Sequence, residues 1–137
     1  MADDPALEVH VACVEDAPEI AHLNLLFNGC DEPADRYAAR LPDPHRVDIP
    51  ILAIIAGCAV GIANLRLLAP VFYPESYAEL TELYVEEGAR RQGVGRTLVR
   101  FAEQLALPGR RSGTVHPHRR RQSSRPGFLS RHRLPGR

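Results

Sequence analysis

Seven residues, Arg90-Arg91-Gln92-Gly93-Val94-Gly95-Arg96, have the types and spacing needed to hold an anion. Two glycines let a turn bring backbone N–H groups close to a ligand. If a helix begins there, its first free amides and its dipole add partial positive charge. The arginines at 90, 91 and 96 reinforce this, and a pyrophosphate is the natural guest. The loop is not a nucleotide-triphosphate loop of the Gly-Lys-Ser/Thr kind. It also lacks the third glycine of a dinucleotide fingerprint, since Val99, Arg100 and Phe101 follow.

The flanking segments would position such a loop. Tyr77 to Val85 is rich in β-formers and reads as a strand. A helix is predicted from about Gly95 to Ala106, with Val94, Leu98, Phe101, Ala102 and Leu105 on one face. Upstream, Leu7 to Val11 alternates at period two, as a first strand would. Asp16-Ala17-Pro18-Glu19 reads as a capping box opening a helix. Ile20, Leu23, Leu26 and Phe27 form that helix's apolar face, and Asn28-Gly29 closes it. A second short helix is expected over residues 35–41. Two apolar runs, Ile51 to Ala56 and Ala59 to Leu68, flank Gly57-Cys58 as strand, turn and strand. Gly61 in the second run implies a bulge or a close backbone approach. The order is β-α-α-β-β-β-α.

Glu82-Leu83-Tyr84-Val85, followed after four residues by Arg90-Arg91-Gln92-Gly93-Val94-Gly95 and then Leu98, resembles motif A of the GNAT superfamily of N-acetyltransferases. A two-glycine loop alone fits many helix-capping turns; strand, doubled arginine and amphipathic helix in register are what carry the likeness. It spans residues 7–106, with the specific part in 77–106. The resemblance implies an α/β fold with a mixed, mostly antiparallel sheet flanked by helices. It implies transfer of an acetyl group from acetyl-CoA to a primary amine, with no metal. Backbone amides from Arg91 to Arg96, within the segment Arg90, Arg91, Gln92, Gly93, Val94, Gly95 and Arg96, would hold the pyrophosphate of coenzyme A. Leu83, Tyr84 and Val85 would line the coenzyme, the edges of Leu83 and Val85 pairing with its pantetheine arm. An N–H near Leu83 would face the thioester carbonyl. An amine attacks only when neutral, so a base is needed. Glu79 and Glu82 are the candidates, and some histone acetyltransferases of the superfamily carry their glutamate where Glu79 falls. A solvated glutamate on the outer face of a strand is the plainer reading of each.

Composition bounds the rest. The 137 residues make one domain, 45% hydrophobic. No apolar run approaches the roughly 20 residues that cross a bilayer. The acidic start lacks the basic region of a secretory signal, so a cytoplasmic protein is expected. Cys13, Cys30 and Cys58 have no ligand spacing and read as reduced thiols packed as small hydrophobes. All 17 basic residues are arginine. Residues 1–103 hold 8 of them against all 17 acids, a net −9; residues 104–137 hold the other 9 and no acid, a net +9. The acidic part leans towards a cationic acceptor, whether a small molecule or a peptide amine.

The basic end has no periodicity, and the expected division is a domain over 1–106 and an Arg-rich, disordered or frame-shifted tail over 107–137. The family's C-terminal strand and helix are missing or aberrant in the chain as written. That helix usually carries Asn-x-x-Ala-x-x-Phe-Tyr-x-x-x-Gly-(Phe/Tyr), whose Tyr often protonates the departing thiolate. Read one nucleotide later, the tail admits Asn in place of Gln122, Ala for Arg125 and for Gly127, Phe at 128, Tyr for Leu129, Gly for Arg133 and Tyr or Phe for Leu134. Codon degeneracy makes single matches cheap; their joint register points to a frame lost between about Ala106 and Gly113. Residues 108–137 are then expected to show little regular structure, leaving the preceding strand without a neighbour and its edge open to association as a homodimer. Activity of this exact chain is in doubt on that reading. The alternatives are a non-catalytic CoA-binding fragment, or a nucleic-acid-binding protein that uses its arginines on phosphates.

Overall fold

A computed structural model describes residues 6–107 and 113–116. Strands β1 (Leu7–Val11), β2 (Asp48–Ile55), β3 (Cys58–Leu68), β4 (Ser76–Val85) and β5 (Gly113–His116) form one sheet in that order. The first four are antiparallel to their neighbours, and β5 runs parallel to β4. Helices α1 (Ala17–Asn28) and α2 (Ala34–Arg40) lie on one face of the sheet, and α3 (Val94–Leu105) on the other. No helix among the described residues is long and apolar enough to cross a membrane.

Each face is buried by the periodicity read above. Val94, Leu98 and Ala102 of α3 are almost fully buried against Ala53, Ala63, Leu65, Leu80 and Leu83, with Phe101 and Leu105 packed at the margin. On the opposite face Ile20 and Leu23 of α1 meet Leu52 and Ile62. Leu26 was expected there but points outward and is 46% exposed. Gly29 ends α1 in the left-handed conformation at φ 68, which its missing Cβ permits.

The capping box at Asp16 does not form. Asp16 is the N-cap residue, but its carboxylate turns back to accept from the Cys13 amide (2.9 Å) and meets His10 Nε2 at 3.0 Å. The nearer donors win because Pro18 in the first turn leaves fewer amides to cap. The β2–β3 turn is made by Ala56 and Gly57, at φ 53 and 77, one residue earlier than expected. All three cysteines are free and exposed, so their packing as core hydrophobes is overturned.

Both readings of Gly61 hold. The β2–β3 register slips beside it, where Ala53 pairs Gly61 and Ile54 pairs Ala59. A Cβ on Gly61 would meet Val94 Cγ1 at 3.0 Å, Leu98 Cδ1 at 3.1 Å and the Tyr84 carbonyl at 3.3 Å. Only glycine lets the start of α3 settle this closely on the sheet.

The expectation of little regular structure over 108–137 is corrected at four residues. Gly113–His116 pair with Ser76–Glu79, so the first part of β4 does have a neighbour. The remainder of that segment lies outside the described residues.

Candidate active site

Strand β4 is the axis of the site, and an irregularity in it decides what it presents. Asn64 pairs Glu82 and Leu65 pairs Leu80, so Thr81 is the extra residue of a bulge. A regular strand would put Glu79 and Glu82 on opposite faces, because alternation has period two. The bulge resets the alternation. Ala78, Leu80, Leu83 and Val85 therefore all face α3, while Glu82 and Tyr84 face α1. Glu79, out of phase with Leu80, falls on the α1 face with Glu82. Glu79 is 6% exposed and sits in register beside Arg66. Asn28 Nδ2 donates to Glu82 Oε1 at 3.2 Å.

Among the described residues, the other edge of β4 has no partner strand beyond Glu79, where its pairing with Gly113–His116 stops. The Glu86 amide donates to the Val60 carbonyl at 2.8 Å, which makes 86/60 a hydrogen-bonded pair. Alternation in an antiparallel ladder then turns the N–H and C=O groups of Leu83 and Val85 away from β3, towards that open edge. An extended ligand arm fits there as an added strand.

At the end of β4 the chain makes a 3-10 turn, Glu87–Ala89, and enters the glycine loop. Arg91 and Gly93 take left-handed conformations at φ 67 and 79. Gly93 is the N-cap of α3; no side chain caps the helix, and its first turn holds no acid. The first backbone acceptor used is the Gly93 carbonyl, by the Thr97 amide at 3.0 Å, so the amides of Val94, Gly95 and Arg96 have no intrahelical partner. Arg91, Gln92, Gly93 and Arg96 are exposed at this end, whereas Val94 is buried and serves packing. A Cβ at Gly93 would touch none of the described residues within 4 Å, so the loop is unobstructed at that point. The donor set and the clearance fit a pyrophosphate.

Arg90 also braces the strand. Its Nε donates to the Val85 carbonyl at 2.9 Å, and its guanidinium lies 5.8 Å from the centre of the Tyr84 ring. Tyr84 stacks on Phe27 of α1 with centroids 5.1 Å apart. Arginine and two rings thus tie the glycine loop to the opposite face of the sheet.

That face carries a cleft of about 310 Å³ between α1, α2 and strands β2 to β4. Ile20, Phe27 and Ile62 give it an apolar wall, and Asn24, Asn28, Asn64, Thr81 and Glu82 a polar one. Asn64 Nδ2 donates to Thr81 Oγ1 at 2.8 Å, holding the bulge, and Asn24 Nδ2 donates to the Tyr37 hydroxyl at 2.6 Å. Burial pushes the Tyr37 phenol above its ordinary value. Around the start of β2 the lining is Arg46, Asp48 and, from β3, Arg66, with Arg66 Nε on Asp48 Oδ1 at 2.7 Å. Burial alone would raise the Asp48 carboxyl, but the bonds from Arg66 and Asn64 and the charges of Arg66 and Arg46 hold it below the usual range. Of these residues, sequence reasoning gave a chemical role only to Glu82. Asn64, a lone amide inside an apolar strand, and Asn24 with Asn28 one turn apart were the legible signals.

The chain matches the model of the Acetyltransferase (GNAT) family over residues 15–122, past the boundary drawn at Ala106. No curated protein matches it. Among solved structures it is similar to a ribosomal-protein-alanine N-acetyltransferase from Brucella melitensis biovar Abortus 2308, at TM-score 0.67 and 22% identity, covering 83% of this chain and 82% of that one. An aminoglycoside acetyltransferase from an uncultured soil metagenomic sample, solved with sisomicin, gives TM-score 0.68 and 17% identity over 84% and 78% of the two chains. A second soil metagenomic aminoglycoside acetyltransferase gives 0.67 and 20% over 82% and 79%. At these identities the likeness establishes the fold.

Proposed function

The chain belongs to the GNAT acetyltransferase family, and from that premise we propose that it transfers the acetyl group of acetyl-CoA to a primary amine bound in the cleft beside Glu82. The observation that carries this is the double use of β4. One edge and the loop after it offer backbone donors for an anionic, extended coenzyme. One face offers the Glu82 carboxylate to an amine in the cleft. Fold neighbours named for a ribosomal-protein alanine and for aminoglycosides are consistent with amine acceptors.

Acetyl-CoA, when bound, supplies an acyl group already activated as a thioester. The residues of this chain do the rest. Amides from Gly93 to Arg96 bind phosphate oxygens, with Arg91 and Arg96 adding charge from the exposed rim. Leu83 and Val85 orient the pantetheine arm along the open edge of β4, although the Val85 carbonyl is shared with Arg90. Glu82 or Glu79 takes the proton that the amine must lose, directly or through water. Asn28 fixes the Glu82 carboxylate through its 3.2 Å bond. The apolar wall of Ile20, Phe27 and Ile62 keeps bulk water from the amine.

Thermal melts with and without acetyl-CoA, together with thiol release in the presence of a panel of amines, test this. Coenzyme at a hundred times its Kd should stabilise the fold by about 2.7 kcal/mol. No stabilisation and no thiol release with any amine would overturn the proposal.

A further inference from the structure

Resting on the reading of the cleft as the acceptor site, we infer that the acceptor is a small primary amine that also carries a carboxylate, gripped by Arg46 and Arg66. The cleft is charged unevenly from one side to the other. Arg46, just before β2, and Arg66, on β3 opposite Asp48, line one part of it, and the lining carboxylate Glu82 sits on β4. The start of β2, which Arg46 precedes by two residues, lies two strand spacings from β4, about 10 Å, whereas Arg66 on β3 lies one spacing away, about 5 Å.

The arginines that line the cleft are not equally committed. Arg40 places both Nη groups on the Glu32 carboxylate, at 2.6 and 3.0 Å, and is satisfied as a bidentate pair. Arg66 spends its Nε on Asp48, and Arg46 spends its Nε on the Arg40 carbonyl at 2.5 Å. Among the described residues, neither uses an Nη group in a hydrogen bond. Asp48, held ionised by these neighbours, faces both cations, and the charges of Glu79 and Glu82 also act on Arg66, which leaves Arg46 as the cation with less carboxylate around it. Glu79 stands beside Arg66 on the β4 side, but Arg66 leans the other way, onto Asp48.

Half-buried guanidinium forks with unused donors, converging on a cleft, match the planar geometry of a carboxylate. Helix α1 and β4 offer what an amine needs: amide oxygens at Asn24 and Asn28, the Thr81 hydroxyl, and the Glu82 carboxylate. A dipolar cleft selects a dipolar ligand. The net −9 of residues 1–103 pulls cations towards the protein as a whole, but the local lining decides what stays bound.

Calorimetric titration of the full chain with amines that differ only by a carboxylate tests the inference without any acetyl transfer. Phenylalanine is paired with phenethylamine, leucine with isopentylamine, and spermidine stands for a polycation. The expected result is that at least one carboxylated member binds about tenfold or more tighter than its partner, as a charge-assisted bond is worth. Arg46→Gln should erase that advantage, and Arg46→Lys should restore only part of it, since the charge returns without the fork. No preference in any pair, tighter spermidine binding, or a preference that survives Arg46→Gln in a folded variant would overturn the inference. Stabilisation by acetyl-CoA is measured separately; its absence would refute acetyl transfer while the paired titrations still decide the carboxylate.

Discussion

Gly93 isolates the contribution of the α3 N-terminus, because its side-chain space is empty while its backbone is constrained. At φ 79 and ψ 10 it is left-handed, and a Cβ there would meet no atom within 4 Å. Gly93→Ala therefore incurs no clash. It costs the left-handed penalty of about 1–2 kcal/mol. Fewer states of the unfolded chain give back about 0.4–1 kcal/mol. The net is about 1 kcal/mol, or roughly 4 °C in the melting midpoint of a domain this size. Gly93→Asn should cost less, because Asn tolerates this conformation. The effect on coenzyme should follow the opposite order. The added atoms enter the space over the amides of Val94 to Arg96, so both variants should lose most of the stabilisation by acetyl-CoA, Asn at least as much as Ala. Gly93→Asp should lose it most completely, since it adds a like charge. Differential scanning fluorimetry with and without acetyl-CoA separates the two effects, and calorimetric titration gives the affinities. Wild-type affinity in all three variants would refute the placement of the pyrophosphate on this helix end.

Glu79→Gln and Glu82→Gln should divide: one, and not both, lowers kcat by about a hundredfold with acetyl-CoA affinity unchanged, which is what loss of a general base gives. Steady-state kinetics and coenzyme titration decide it, and normal rates in both would place the base elsewhere or in water. The Asp48 carboxyl titrates below its unfolded value of about 3.9. The stability it contributes is thus full above that pH and lost as pH falls through its lower folded value. Melting midpoints should accordingly drop more steeply below about pH 4 in the wild type than in Asp48→Asn. Expressing the chain with its reading frame changed beyond Ala106, beside the chain as written, should raise both the melting midpoint and turnover; equal behaviour would refute the frame reading.

The sequence alone determined the parts of this protein whose signals are local. The glycine loop is legible because left-handed backbone at Gly93 and uncapped amides after it need those residues in that order. The α3 face is legible because Val94, Leu98 and Ala102 repeat at helical spacing. Gly61 was legible as a close approach, though not what approaches. Signals that depend on competition between partners were misread. Asp16 and Glu19 have the spacing of a capping box, yet His10 and Cys13 claim the Asp16 carboxylate. Leu26 fits the apolar period of α1, but the sheet covers only the side that Ile20 and Leu23 present.

Only the tertiary structure decided the acceptor side. Its walls come from α1, α2 and three strands, so Asn28, Arg46, Asp48, Asn64 and Glu82 meet although they are far apart in the chain. Whether Glu79 and Glu82 share a face turned on one extra residue, Thr81, and on the Asn64 amide that holds it. The extra residue exists only relative to a partner strand. Periodicity within β4 cannot reveal it, because a bulge is a property of pairing.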